Sequence, residues 1–85
     1  MTLATTTTRP IYEIAQEIYR DWAKPYFGAR PYMEAMRSLD EVTDYYGLDS
    51  AASIVNYFLA NANTWRGETA RRVKAELKAM VKGRY

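Results

Sequence analysis

Apolar side chains recur at helical spacing along most of the chain, beginning just after Pro10. In the first such segment they stand three and four residues apart as far as Trp22, and polar residues occupy the opposite side. This pattern predicts a helix over approximately residues 10–23. Pro10 suits the first turn of that helix, and Thr8 or Arg9 is the predicted N-cap.

A loop rich in proline and glycine, residues 24–31, separates this helix from the next. Helical spacing then returns and predicts a second helix over approximately residues 31–46. Gly47 is placed to cap it, with Leu48 folding back as the accompanying hydrophobic contact. A break near Ser38 into two shorter helices is the alternative, because a capping-box sequence begins there.

Two further helices are predicted in the second half of the chain. The third, approximately residues 50–62, begins at Asp49 or Ser50 and is apolar over more than half its circumference, which predicts that it is the most buried element. The fourth, approximately residues 65–82, starts near Thr64 or Gly67, has one apolar face and ends at Gly83.

These elements together predict an all-α fold, a small bundle of about four short helices. No segment alternates between apolar and polar residues with a period of two, and no repeat is visible. Residues 1–8 are rich in threonine and uncharged, so we predict a disordered N-terminal tail there. Residues 9–85 are predicted to form a single helical domain.

The composition then limits the chemistry that such a domain can perform. The 85 residues include no cysteine and no histidine, so disulfides, Cys/His metal sites, thiolate nucleophiles and imidazole bases are excluded. We predict no catalytic residue, no cofactor and no enzymatic activity. The acidic cluster Asp40, Glu41 and Asp44 lacks the glycine and alternating donors of a calcium loop, and we interpret it as a solvated helix edge.

The cellular location of the protein is predicted from the lack of two kinds of apolar segment, a membrane span and a signal peptide. No apolar run approaches the ~18 residues that a membrane span requires, so no membrane association is expected. No basic segment followed by an apolar run stands near Met1, so we predict a cytoplasmic protein.

The net charge of +2 conceals a gradient along the chain. Residues 31–62 carry one basic and five acidic side chains, whereas residues 63–85 carry seven basic and two acidic ones. Within the fourth predicted helix, helical spacing stacks four cations on one face: Arg71, Lys74, Lys78 and Lys82. This basic face is either solvated or paired with the acids of the second helix, or it contacts nucleic acid phosphates or an acidic protein.

Aromatic residues cluster at two predicted turns. Tyr26, Phe27 and Tyr32 lie in or beside the Pro/Gly loop, and Trp65 with Arg66 lies between the third and fourth helices. Loop aromatics commonly close the ends of helical bundles, which favours a structural role. The alternative is a protein-interaction site, because aromatic and arginine side chains dominate binding energy at interfaces.

A resemblance to known proteins is carried by two segments, Tyr26 to Met36 and Ile54 to Leu77. Over roughly residues 9–80 the chain resembles small, uncharacterised helical proteins encoded by phages of actinobacteria, mycobacteriophages in particular. The resemblance implies no activity, cofactor or catalytic residue. It implies a phage product made in the cytoplasm of a bacterial host, where small proteins of this kind often bind host or phage macromolecules.

We therefore expect a non-enzymatic, phage-encoded accessory protein that acts by binding a host or phage protein and modulates host physiology. Self-association into a homo-oligomer is a further use of exposed aromatic side chains. The alternative is a small nucleic-acid-binding protein that uses the basic face of the fourth helix. Because the third predicted helix has no Lys or Arg, such binding would rest on phosphate contacts rather than on base reading.

Overall fold

The computed structural model describes residues 9–82. Four helices follow one another along the chain: α1 Ile11–Asp21, α2 Arg30–Met36, α3 Ala51–Ala60 and α4 Glu68–Val81. A short antiparallel hairpin of β1 Tyr45–Tyr46 and β2 Asp49–Ser50 lies between α2 and α3. The predicted all-α fold with four helices is confirmed. The predicted tail, residues 1–8, and the predicted helix end at Gly83 lie outside the described residues.

Each helix contributes apolar side chains to one shared core. Half of the residues of α3 are buried, a larger share than in any other helix, which confirms the prediction for that element. The large side chains of the core come from all four helices and from the segment after α2, and Phe58 of α3 is the largest that is completely buried. None of the four helices is both long and apolar enough to cross a lipid bilayer.

The second helix is much shorter than predicted, because it ends at Met36 rather than near residue 46. The carbonyl oxygens of Leu39 and Asp40 accept hydrogen bonds from the N–H groups of Tyr12 and Ile11, each at 2.8 Å. The first N–H groups of any helix have no partner within it. These two carbonyls therefore serve the start of α1 instead of continuing α2.

These hydrogen bonds to the carbonyls of Leu39 and Asp40 also show that the predicted N-cap of α1 is wrong. Pro10 occupies the cap position and no side chain caps the helix, so Arg9 is not the cap, and Thr8 lies outside the described residues. Backbone carbonyls from a distant segment perform the role that a Thr side chain would have served.

The segment after α2 is a turn and not a helix edge. The Asp44 carboxylate accepts hydrogen bonds from the backbone N–H groups of Asp40 and Glu41, each at 3.0 Å, and such local bonds compete with helix formation. The alternative break near Ser38 does occur at that position, but no second helix follows it. The Ser38 hydroxyl donates back to the Ala35 carbonyl instead of capping a helix.

Gly47 belongs to the hairpin and does not cap a helix. Its φ is +64°, whereas Leu48 has a negative φ, and this combination across a two-residue loop is that of a type II′ turn, which favours glycine at its first position. Leu48 is 99% exposed rather than folded back on a helix, and Tyr46 is also exposed.

The residue just before each helix determines where α3 and α4 start. Ser50 caps α3, as predicted, and its hydroxyl accepts a hydrogen bond from the Ser53 N–H at 3.1 Å. Helix α4 begins at Glu68, next to Gly67, the later of the two predicted starts, because Gly67 adopts a φ of +113°. That backbone conformation cannot be part of an α-helix and is rare for any other residue.

A cluster of charged side chains joins α1 to α4. The guanidinium of Arg9 donates to both carboxylate oxygens of Glu76, at 3.0 and 2.7 Å, and lies 2.9 Å from Glu17. Glu17 also accepts from Arg72. The hydrogen bond from Arg72, with the nearby positive charge of Arg9, holds the pKa of Glu17 below its ordinary value, although partial burial opposes this.

Candidate interaction surfaces

Trp65, one of the predicted interaction residues, is only 2% exposed. Its ring stacks on Trp22 with centroids 5.7 Å apart and packs edge-on against Phe58 at 6.3 Å. Its indole N–H donates to the Asp21 carboxylate at 2.8 Å. Trp65 therefore has the structural role of closing the bundle end, and its ring is not available to a partner.

Tyr26 and Phe27, by contrast, present their rings to solvent. Phe27 is 76% exposed and Tyr26 is 44% exposed, and their ring centroids lie 4.9 Å apart. Both belong to the short connection that leads into α2, where Phe27 opens a single 3₁₀ turn. Neither ring is needed to fill the core.

A second aromatic pair extends this exposed region onto α3. Tyr32 of α2 is partly buried against the core, and its ring lies 5.4 Å from that of Tyr57, which is half exposed. We define the aromatic surface as the side chains of these two pairs: Tyr26, Phe27, Tyr32 and Tyr57.

Asn61 and Gly28 connect the two pairs. Asn61 donates to the Tyr57 carbonyl at 2.9 Å and, together with Tyr26, lines a shallow pocket at the end of α3. A Cβ atom at Gly28 would collide with the Tyr26 ring and lie 2.9 Å from the Asn61 side-chain oxygen. Glycine at position 28 is thus what lets Tyr26 and Asn61 approach each other.

The exposed fractions of these rings correspond to about 300–400 Å² of accessible aromatic area. The largest apolar patch on a typical monomer has about this size and is often functional. Arg66 is exposed beyond one edge of the aromatic surface, since Asn63 lines both the Tyr26 pocket and a second pocket with Arg66. Of the five predicted interaction residues, the structure groups Tyr26, Phe27 and Tyr32 in the aromatic surface, leaves Arg66 exposed and buries Trp65.

Three of the four predicted cations, Arg71, Lys74 and Lys78, lie within α4, and Lys82 is its C-cap residue. At 100° per residue, the four positions fall within an arc of about 80°, beside the core-facing residues and on the opposite edge from Glu76. Arg66, which precedes the helix, lies beside Lys74 in the pocket at the start of α4. We define the basic stripe as these five side chains: Arg66, Arg71, Lys74, Lys78 and Lys82.

None of the basic stripe residues forms an ion pair with a described acidic residue. The ion pairs within residues 9–82 join Arg9 to Glu17 and Glu76, Arg72 to Glu17, and Arg37 to Glu34. The proposed internal neutralisation of the basic face by the acids after α2 is therefore absent from the part of the chain that the structure describes.

Lys74 differs from the other members of the basic stripe. Its ammonium donates to the Trp65 carbonyl at 2.7 Å and lies 5.9 Å from the centre of the Trp65 ring. Partial burial lowers the pKa of Lys74, and the neighbouring charges of Lys78 and Arg66 lower it further. The cations of the basic stripe thus repel one another at short range.

The acids considered as metal ligands have a structural role. Asp44 holds the turn after α2 through two backbone N–H groups. Across residues 9–82, no three carboxylate side chains come together in a way that could hold a metal ion.

Sequence reasoning missed two exposed apolar features. Tyr57 follows the helical pattern of α3 but lies at its edge, where it meets Tyr32. The second feature is the hairpin tip, which we define as Tyr45, Tyr46 and Leu48. The signal for it was Gly-Leu between Tyr-Tyr and Asp-Ser, because glycine opens a type II′ turn.

Comparison of the chain with models of known protein families, with curated proteins and with solved structures finds no match.

Proposed function

We propose that the chain is a non-enzymatic interaction protein whose aromatic surface binds a protein partner from the bacterial host or the phage. The observation that supports this proposal is the exposed pair Tyr26 and Phe27, continued by Tyr57, on a part of the molecule where the core does not need them. Aromatic side chains are enriched at the centres of protein interfaces, and arginine is enriched there too.

The size of the aromatic surface indicates the centre of an interface rather than the whole of it. A standard interface buries about 800 Å² on each partner, roughly twice the exposed aromatic area. Polar residues around the rings, including Asn63, Arg30 and Arg66, are exposed and would form the rim. The resemblance to phage-encoded proteins supports a partner in the cytoplasm of an actinobacterial host, whose activity the bound protein would modulate.

The proposal is tested by capturing partners from host lysate, treated with nuclease, on the immobilised chain. The captured protein is then purified and its Kd measured for Phe27→Ala, Tyr57→Ala and the matched control Tyr12→Ala. Tyr12 is exposed to a similar extent as Tyr57, but it lies on α1. We expect at least a tenfold weaker Kd for the first two variants and an unchanged Kd for the control, since anchor residues contribute more than about 1.4 kcal/mol. Equal binding by all variants would exclude the aromatic surface.

The second candidate function is nucleic acid binding, and it is favoured because no acidic side chain within residues 9–82 pairs with the basic stripe. Contacts with phosphates release counterions, so binding to a generic DNA duplex should weaken steeply with salt. Lys78→Glu should reduce the affinity and the salt dependence. Arg20→Glu, which changes the net charge equally but lies on α1, should have a much smaller effect. Fluorescence anisotropy against salt concentration measures both effects.

A further inference from the structure

The aromatic surface and the basic stripe adjoin at the connection between α3 and α4. Asn63, in that connection, lines the depression beside Tyr26 and also the depression that holds Arg66. Arg71 and Lys74 line this second depression as well. A path over the surface therefore leads from the exposed rings, past Asn63, to the cations of α4.

The rings at one end of this path are open to solvent. Phe27 is 76% exposed, and Tyr57 and Tyr26 are each nearly half exposed. Within the two aromatic pairs the rings are tilted, by 54° and 43°, and do not stack flat on each other. Each pair therefore leaves ring area free for a further flat group. Nucleobases are such groups, and they stack on aromatic side chains with little regard to sequence.

The cations at the other end of the path have no internal countercharge. Arg66, Arg71 and Lys78 are exposed, and none of them pairs with an acid within residues 9–82. Glu68, the acid nearest to Arg66 along the chain, contributes one negative charge against the five positive charges of the basic stripe. A phosphodiester backbone supplies the negative charge that this part of the surface lacks.

This arrangement fits a single strand better than a duplex. In a duplex both faces of each base are stacked on neighbouring base pairs, so protruding rings can reach them only by unstacking the helix. A single strand offers unstacked bases to aromatic side chains and its backbone to a basic groove. A single strand is also flexible enough to turn at the α3–α4 connection, whereas a duplex is stiff over about 150 base pairs.

We propose that the chain binds single-stranded nucleic acid along this path, with bases stacked on Phe27 and Tyr57 and phosphates held by Arg66, Arg71 and Lys78. The inference rests on the second candidate function, nucleic acid binding through the basic stripe, and adds the aromatic surface to it. Stacking makes the binding tolerant of sequence, and the phosphate contacts make it weaken with salt.

The test is fluorescence anisotropy with a labelled oligothymidylate of about 12 nucleotides, compared with a mixed-sequence duplex of the same length. We expect the single strand to bind more tightly than the duplex. Phe27→Leu and Tyr57→Leu keep an apolar side chain but remove the ring. Each should weaken the Kd for the single strand at least about fivefold and leave the Kd for the duplex unchanged. Lys78→Glu should weaken both.

Matched controls separate stacking from other effects of these substitutions. Tyr12→Leu removes a ring of similar exposure on α1 and should bind as the wild type does. Phe27→Trp supplies another stacking ring and should keep the affinity that Phe27→Leu loses. An abasic strand of the same length retains the phosphates without the bases, so Phe27→Leu should bind it as well as the wild type does. Circular dichroism confirms that each variant folds.

An oligouridylate of the same length compares RNA with DNA. Tight binding of either strand supports the proposal, and the tighter one identifies the type of nucleic acid that the surface prefers.

Two results would overturn this inference and leave the second candidate function standing: equal binding of single strand and duplex, or full affinity for the single strand in both Phe27→Leu and Tyr57→Leu. Binding to neither oligonucleotide would overturn both. If the chain instead captures a host protein through Phe27 and Tyr57 and binds no oligonucleotide, the rings belong to that protein partner.

Discussion

At the scale of single residues, the central aromatic side chains of the core are also the ones that a partner cannot reach. Trp65 contacts Trp22 and Phe58 through its ring and Asp21 through its indole N–H. Its backbone carbonyl in turn accepts from Lys74. One residue thereby links α3, α4 and the end of α1.

Truncating Trp65 should destabilise the fold severely. We expect Trp65→Ala to lower the free energy of unfolding by about 3–5 kcal/mol, because it leaves a cavity in the core. Phe27→Ala, the matched removal of an exposed ring, should change it by less than about 0.5 kcal/mol. Urea unfolding followed by circular dichroism measures both. A similar stability for the two variants would contradict the structural role of Trp65.

The sequence could identify both residues as aromatic side chains in turns, but it could not distinguish the buried one from the exposed one. Trp65 is buried because Trp22, 43 positions earlier, stacks on it, and only the packing of distant helices determines this. Phe27 has no such counterpart and remains exposed. The structural role favoured for the turn aromatics therefore applies to Trp65, whereas Tyr26 and Phe27 are exposed and stay predicted interaction residues.

At the scale of elements, the caps determine where helices start. The Ser50 hydroxyl satisfies the Ser53 N–H, and the Ser50 backbone belongs to the hairpin that precedes α3. This single residue thus ends a strand and begins the most buried helix.

Replacing Ser50 tests that cap. We expect Ser50→Ala to lower the free energy of unfolding by about 1 kcal/mol, which is typical for the loss of an N-cap. Ser38→Ala is the control, since the Ser38 hydroxyl is exposed and bonds only to the Ala35 carbonyl, and it should cost less than about 0.5 kcal/mol. Thermal unfolding of both variants under one condition decides the matter. An equal loss would show that the cap contributes nothing.

Local patterns predicted three of the four helices closely and failed for the second. Leu39, Val42 and Tyr46 follow helical spacing, but the carbonyls of residues 39 and 40 are used by α1. That competition lies between segments almost thirty residues apart, so no window of local sequence contains it. The hairpin that follows could have been predicted from the local sequence, because Gly47 precedes a residue that can take the second position of a type II′ turn.

At the scale of the whole molecule, some charged side chains form ion pairs and others have no ion-pair partner within residues 9–82. The cluster of Arg9, Glu17, Arg72 and Glu76 joins α1 to α4. The basic stripe and the acids near the hairpin have no such partners within residues 9–82. The sequence predicted this gradient of charge, but only the structure separates the paired cations from the remaining ones.

The paired cluster should make stability depend on pH. Because the folded pKa of Glu17 lies below its ordinary value near 4.5, the unfolded chain binds the proton first as the pH falls. The stabilising contribution of Glu17 is thus present above about pH 4.5 and is lost as the pH falls through the folded pKa.

We expect Glu17→Gln to lower the free energy of unfolding by about 1 kcal/mol at pH 7. As the pH falls from 5 to 3, the free energy of unfolding of this variant should also decrease less than that of the wild type. Glu34→Gln is the control, since Glu34 pairs with Arg37 on an exposed surface, and it should cost less at pH 7. Urea unfolding over this pH range provides the measurement. An unchanged acid profile in Glu17→Gln would contradict the assignment.

The capping of α1 by Leu39 and Asp40 also has a consequence for biosynthesis. The start of the first helix emerges from the ribosome about 28 residues ahead of the two carbonyls that complete it. At 5–20 residues per second this takes roughly 1–6 s. During that interval α1 is an amphipathic segment without its caps and without most of the core, so the nascent chain becomes committed to its fold only late in translation.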